Sequence, residues 1–157
     1  MRIALYQPDI PQNTGTILRL AACLGVEAHI VEPAGFPVTD AAFRRAGMDY
    51  LDRVRIHRHV SFAAFEDWRR QAGARLVLLT TAGRTSHLDF AYHADDILML
   101  GRESAGVPDA VHTAAEARLM IPMRPAMRSL NVAVAAAIAL GEALRQIGGF
   151  RHDESDA

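Results

Sequence analysis

Three short segments of this chain combine residue types that could hold a nucleotide and act on it. The first is Pro11-Gln12-Asn13-Thr14-Gly15-Thr16-Ile17-Leu18-Arg19, where Asn13 can cap a helix whose free N–H groups face an anion. Gly15 and Arg19 are four residues apart and share a helical face, which leaves room for a ribose or a phosphate beside the guanidinium. A plain capped helix with a surface arginine would read the same way. The second segment is Gly101-Arg102-Glu103-Ser104-Ala105-Gly106-Val107-Pro108, in which glycines flanking Glu103 permit unusual dihedrals or close approach of backbone to a ligand. It does not match the G-x-G-x-x-G pattern, and Pro108 reads as the opening of the next helix. The third is Ile121-Pro122-Met123-Arg124-Pro125-Ala126-Met127-Arg128-Ser129-Leu130-Asn131, a loop stiffened by two prolines that runs into a helix capped by Ser129 or Asn131.

These segments need a scaffold, and the hydrophobic pattern supplies one. Arg2 to Gln7 reads as a strand, then a turn over Pro8 to Pro11 and a helix from Asn13 to Leu24 that Gly25 stops. Short apolar runs at Ala28–Val31, Val54–Ile56, Leu76–Thr80, Ile97–Leu100 and Arg118–Ile121 alternate with helical stretches near Asp40–Ala46, Phe62–Gln71 and Ser129–Ile147. The alternation predicts an α/β fold with a parallel sheet flanked by helices. In such sheets ligands bind beyond the carboxyl ends of the strands, so two specialised loops there imply one pocket. Ser61 is the expected cap of the helix carrying Phe62, Phe65 and Trp68, which fall at three-residue steps and read as core. The alanine-rich last helix permits close approach to another helix or to the sheet. Residues 1–150 read as a single domain and Arg151–Ala157 as a disordered polar tail.

With 157 residues the chain can bury roughly two-thirds of its unfolded surface without a metal or disulfide. No apolar run approaches the roughly 20 residues needed to span a bilayer, and no leader pattern is present, so a cytoplasmic location is expected. Cys23, the single cysteine, lies in an apolar helical pattern and reads as a buried thiol. Net charge is −1, which neither favours nor excludes nucleic acid. All 17 basic residues are arginine, which excludes a lysine Schiff base and a Walker-type phosphate loop. His57 and His59, around Arg58, read as a strand-end surface group and not as metal ligands.

The three segments together resemble the SPOUT superfamily of RNA methyltransferases, whose motifs are an N-x-G-x-x-x-R helix start, a G-x-E-x-x-G-[LIV]-P loop and an I-P-M…S-[LM]-N stretch. The similarity is closest to the minimal TrmL-type branch, which methylates the ribose 2′-hydroxyl at the tRNA wobble position. Leu5 to Gly15, Glu32-Pro33-Ala34-Gly35-Phe36, Arg44-Arg45-Ala46-Gly47-Met48-Asp49-Tyr50 and Leu79-Thr80-Thr81 carry that closer likeness. The resemblance covers about residues 1–150. It implies a trefoil-knotted α/β domain, a homodimer, S-adenosyl-L-methionine as cofactor and tRNA as partner, with no metal and no membrane. By the same resemblance, Leu79, Gly101, Glu103, Gly106, Ile121, Met123, Ser129, Leu130 and Asn131 form or adjoin the cofactor pocket. Apolar side chains there can sandwich an adenine while loop amides read its edge.

The implied reaction moves the sulfonium methyl to the 2′-oxygen of nucleotide 34, a cytidine or a carboxymethylaminomethyl-type uridine. Arg19 is the implied catalytic residue, with Asn13 and Ser129 helping to position it. An arginine with pKa above about 12 is a poor base, so its role is read as orienting the 2′-hydroxyl or a phosphate. Arg44, Arg45, Arg124 and Arg128 are the candidates for RNA phosphates. The chain departs from the branch pattern at Ala133, where serine is common, at Gly141, where tyrosine is frequent, and at Thr80-Thr81-Ala82-Gly83, which lacks the usual lysine that Arg84 could replace. Alternatives are the same chemistry at another tRNA position or on ribosomal RNA, a non-catalytic RNA-binding module of the same fold, and a flavodoxin-like nucleotide binder.

Overall fold

A computed structural model of the chain describes residues 1–45 and 50–150. The expected tail and the Ala46–Asp49 part of the motif lie outside them. The elements are β1 (Arg2–Tyr6), α1 (Pro11–Leu24), β2 (Glu27–Val31), α2 (Asp40–Arg45), β3 (Ile56–His59), α3 (Phe62–Gln71), β4 (Leu76–Leu79), β5 (Thr85–Ser86), β6 (Ile97–Leu100), α4 (Asp109–Ala114), β7 (Ala117–Met120) and α5 (Val132–Ile147). The sheet order is β3-β2-β1-β6-β4-β7-β5, and every neighbouring pair is parallel.

A parallel sheet covered on both faces has strands that are apolar throughout, and here all of Ile97–Leu100 is buried. The period-two alternation divides each strand between two cores. Ile3, Leu5, Val77, Leu98 and Leu100 face α1 and α5, while Ala4, Tyr6, Leu76, Leu78, Ile97 and Met99 face α3 and α4. On α5 the fully buried Ala136, Ala139 and Ala143 let that helix pack closely in the first core, as its alanine content predicted. Phe65 is fully buried in the second core with Phe62 and Trp68 packed against it, and the Ser61 hydroxyl caps α3 by accepting from Ala64 N at 3.1 Å. In the last turn of α3, buried Arg69 is held by Glu66 at 2.7 Å, by Glu116 at 2.8 Å and by the Ala74 carbonyl at 2.8 Å.

Strand order reverses between β1 and β6, so the crevice of the fold opens at the carboxyl ends of the central strands. Farther along the sheet β7 is inserted between β4 and β5, and the connection from β4 to β5 passes over it. A Cβ on Gly83 would stand 2.6 Å from the Leu119 carbonyl carbon, so only glycine lets that connection cross so near the backbone of β7.

Several expectations need correction. The strand expected at Val54–Ile56 runs over Ile56–His59, because Leu51–Arg53 wind into a 3-10 turn that delays it. β5 was missed, since two polar residues carry no hydrophobic signal. Cys23 is exposed: it sits two residues beyond buried Ala21, about 200° round the helix and on the solvent side. His57 and His59 are not both surface residues. His59 is buried, His57 on the edge strand is half-buried, and both rings stack on fully buried His29 under Trp68. Burial foremost, then the neighbouring histidines, pushes His29 down to about 3.

Candidate active site

At the carboxyl ends of β4, β6 and β7 lies a cleft of about 630 Å³. One wall is Leu100, Gly101, Glu103 and Gly106, and a second is Leu79 with Thr80 and Thr81. The segment after β7 supplies Ile121, Met123, Arg124, Ser129, Leu130 and Asn131, and α1 closes the rim with Ile10 and Asn13. All nine expected cofactor-pocket residues, Ser129 among them, therefore line one cavity, and Asn13 of the expected catalytic residues joins them there.

The loop after β6 is shaped by its own backbone. Arg102 N donates to Gly106 O at 3.1 Å and Gly106 N to Arg102 O at 2.7 Å, with Gly106 at a φ of +64°. A Cβ on Gly101 would come within 3.0 Å of Gly106, so this glycine serves the folding of the loop upon itself. The loop is then fastened to the segment following β1. Asp9 N donates to Glu103 Oε2 at 3.1 Å, Glu103 N to Asp9 Oδ1 at 3.2 Å, and the Ser104 hydroxyl to Asp9 Oδ2. Arg102 Nε reaches the Gln7 carbonyl at 3.1 Å, and Gln7 holds a left-handed φ of 43°. In the opposite wall Ala126 is also left-handed, at 69°, in a turn closed by Met127 N to Arg124 O at 3.2 Å. Such conformations cost a non-glycine residue roughly 1–2 kcal/mol, which the surrounding contacts offset.

Asn13 joins the three segments. Its Nδ2 donates to Glu103 Oε1 at 3.5 Å, and its Oδ1 accepts from Asn131 Nδ2 at 3.0 Å. Asn131 Oδ1 in turn caps α5, accepting from Ala133 N at 2.9 Å and Val134 N at 3.3 Å. Each amide both donates and accepts, so the direction of the chain of bonds is fixed. Burial foremost, then the adjacent Asp9 carboxyl, holds Glu103 above the usual carboxylate range. Asp9 lies below it, through hydrogen bonding with Glu103 and with the Ser104 hydroxyl.

Asn13 does not cap its helix. The N-cap is Ile10, without a side-chain bond, and Pro11 takes the first helical position, where its fixed φ suits the helix and its missing N–H is harmless. Asn13 thus stands inside the first turn with its amide turned to Glu103 and Asn131 at the cleft rim. Of the two proposed caps of α5, Asn131 serves and Ser129 does not. Ser129 is exposed in the cleft wall and makes no hydrogen bond among the described residues.

Arg19 is absent from the cleft lining. Six residues beyond Asn13 it lies about 9 Å along the helix and about 240° round it, on another face. There its guanidinium carbon sits 4.6 Å from the Tyr50 ring centroid, and Nη2 donates to the Tyr50 hydroxyl at 3.3 Å. Among the RNA candidates, Arg124 lines the cleft; Arg124 and Arg128 are exposed and form no ion pair among the described residues. Arg44 pairs with Asp52 at 2.8 Å. The side chain of Arg45 lies outside what is described.

Residues 1–141 match the SpoU rRNA Methylase family. The chain belongs to the SpoU methylase family. Among SpoU relatives, it is 68% identical over 148 residues to the tRNA (cytidine(34)-2′-O)-methyltransferase of Beijerinckia indica subsp. indica, covering 94% of this chain and 92% of that one. It is 41% identical to the protein of that name from Escherichia coli strain K12, covering 94% of each. A solved structure described as giving insight into the 2-OH methylation of C/U34 on tRNA superposes with a TM-score of 0.87 at 40% identity, covering 94% of this chain and 96% of that one. The SpoU methyltransferase AviRb from Streptomyces viridochromogenes, in complex with AdoMet, superposes at 0.83 with 32% identity, covering 93% of this chain and 60% of AviRb.

Two features of the cleft and of the Arg19 face escaped the sequence. The exchange of bonds between Asp9 and Glu103 spans 94 positions, and no local pattern announces it. Tyr50, the partner of Arg19, lies in a quoted motif but carries no mark of that contact.

Proposed function

We propose that this chain transfers the methyl group of S-adenosyl-L-methionine to the ribose 2′-hydroxyl of the wobble nucleotide, position 34, of tRNA, acting on cytidine or a modified uridine. The observation that carries this reading is the bonded series Glu103, Asn13 and Asn131, which unites the three motif segments on the rim of one cleft. The names of the relatives, at up to 68% identity along nearly the whole chain, support the substrate.

The cleft suits the cofactor on its own features. Its volume falls in the range of small-molecule sites, and it combines apolar Leu79, Leu100, Ile121 and Leu130 with exposed loop backbone. When bound, S-adenosyl-L-methionine supplies a methyl group already activated on a positive sulfur. A new C–O bond forms as the S–C bond breaks, and the hydroxyl proton leaves to solvent or a nearby acceptor. The displacement calls for no metal. Asn13 and Asn131 hold the pocket walls in register, Ser129 offers an unbonded hydroxyl beside them, and Glu103 orients the Asn13 amide. Arg19, always charged, orients the ribose or its phosphate. Arg124 and Arg128 take neighbouring phosphates, whereas Arg44 must first leave Asp52.

Arg19 stands outside the cleft of its own chain, which supports a homodimer in which it serves the second copy. Exposed Val134 and Ile138 on α5, with Ile10 and Leu130 of the cleft lining, are the apolar surface such a dimer would cover. The crossing of the β4–β5 connection over β7 supports a trefoil knot formed by the C-terminal segment. We read residues 1–150 as one methyltransferase domain located in the cytoplasm; no helix among the described residues is long and apolar enough to cross a membrane.

Incubation of the purified protein with bulk tRNA and methyl-labelled cofactor, followed by mapping of 2′-O-methyl groups, tests the assignment. Label confined to position 34 is expected, and label elsewhere would replace the substrate. Arg19→Ala should abolish transfer while calorimetric cofactor binding persists; equal loss of both would contradict the role given to Arg19.

A further inference from the structure

At the far edge of the sheet from the cleft, β2 and β3 place a carboxylate and two imidazoles together. Glu27 and His29 are two residues apart on β2 and share a face, and the parallel register sets His57 of β3 directly beside His29. One donor atom from each of Glu27, His29 and His57 lies within 4.8 Å of the other two. The histidine nitrogens carry the argument. Fully buried His29 spends Nδ1 on His59 Nε2 at 2.9 Å and leaves its buried Nε2 without a partner among the described residues. His57 Nε2 is also buried and has no hydrogen bond among the described residues; it faces Glu27 Oε2 at 3.9 Å.

We propose that Glu27, His29 and His57 form a site for a borderline divalent cation of the Zn²⁺ type, which ties edge strand β3 to β2. Two imidazoles and one carboxylate are donors that such ions take, with water free to occupy a fourth position. The His29–His59 bond is the outer-shell contact that fixes a ligating ring and directs its other nitrogen to the metal. Glu27 is oriented too, since Arg55 holds Oε1 at 2.6 Å, while Oε2, which accepts from Arg2 Nε at 3.4 Å, faces His57.

Binding requires movement of one ring. His29 and His57 are stacked at 4.7 Å and 12°, and parallel rings do not aim two lone pairs at one point. His57, on the edge strand with a side chain 39% exposed, is free to turn, whereas His29 is locked. The donor separation then contracts to about 3.3 Å, the edge of a tetrahedron with metal–ligand distances near 2.0–2.1 Å. Arg2, whose Nε lies 3.4 Å from Glu27 Oε2, and Arg55 oppose a cation and so weaken its binding. The ion is structural, because the site lies at the edge strand and away from the cleft residues.

Trp68 is the only tryptophan of the chain, and its ring centroid lies 4.4 Å from that of His29, so its emission reports on the site. The full chain, freed of metal with a chelator, is titrated with Zn²⁺ by calorimetry and by Trp68 fluorescence. One ion per chain is expected, with a change in emission. His57→Ala and Glu27→Gln should each weaken binding by at least about tenfold, while Cys23→Ser and His112→Ala leave it unchanged. Absence of heat and emission change, or binding equal in His57→Ala and Glu27→Gln, overturns the proposal. Should both variants fail to fold, Co²⁺ absorption of the unaltered chain decides: intense visible bands of a four-coordinate site are expected, and the weak spectrum of the hydrated ion refutes it.

Discussion

Asn131 performs two tasks with opposite ends of one amide, and a single substitution separates them. Its oxygen caps α5 through Ala133 N and Val134 N, while its nitrogen donates to Asn13 Oδ1. Asn131→Ala removes both and should cost about 1 kcal/mol of stability, the usual value of a lost N-cap. Asn131→Asp retains a cap oxygen of equal quality and adds a favourable charge at the helix N-terminus, so stability should stay within about 0.5 kcal/mol of the parent. That carboxylate, however, has no proton to give Asn13 Oδ1. It opposes an acceptor 3.0 Å away, on the same amide that Glu103 orients. Loss of a hydrogen bond worth roughly 0.5–1.5 kcal/mol, with repulsion added, predicts about tenfold weaker cofactor binding and methyl transfer. Denaturant melts and calorimetry with S-adenosyl-L-methionine read the two effects separately. Asn131→Asp with full affinity would refute the role of the Asn13 bond, and Asn131→Asp as unstable as Asn131→Ala would refute the cap.

Three further outcomes follow from the packing. Gly83→Ala drives a Cβ to 2.6 Å from the backbone of β7 and should destabilise by more than about 2 kcal/mol, read as a lower melting midpoint; a neutral result would deny the close crossing. Arg69→Met leaves Glu66, only 6% exposed, without its main counter-charge, and a loss of about 3 kcal/mol is expected in urea melts, recovered in part by the double change with Glu66→Gln. The Asp9 carboxyl lies below its ordinary 3.8, so the stability it supplies is present above that pH and is lost as pH falls through the lowered value. The stability gap between the parent and Asp9→Ala should therefore be constant near neutrality and close under acid; a gap that widens instead would reverse the assignment.

The strands and helices that carry the site were legible because their signals are local. Apolar runs such as Ile97–Leu100 and the three-residue steps of Phe62, Phe65 and Trp68 follow from what each element must bury. Boundaries failed where the signal was weak, as in polar β5, or where a 3-10 turn used residues that looked extended. Asn13 shows how a residue type can suggest a local task that the fold assigns elsewhere. Its type suits a cap, but Pro11 two positions earlier starts the helix first.

Sequence alone determined the alternation of elements, the three segments that bear chemistry and the likeness that joined them. Only the tertiary structure decided which atoms meet. Residues 13, 103 and 131 are brought together by the strand order, and a hydrogen bond depends on separations of tenths of an ångström that no residue type encodes. The same holds for the buried histidines. His29, His57 and His59 are polar letters in the sequence, and they became an inward cluster because register and the cover of Trp68 set their face. Arg19 likewise stands on the wrong face of its own helix for its own cleft, a consequence of helical period that sequence spacing does not resolve until the cleft has a position.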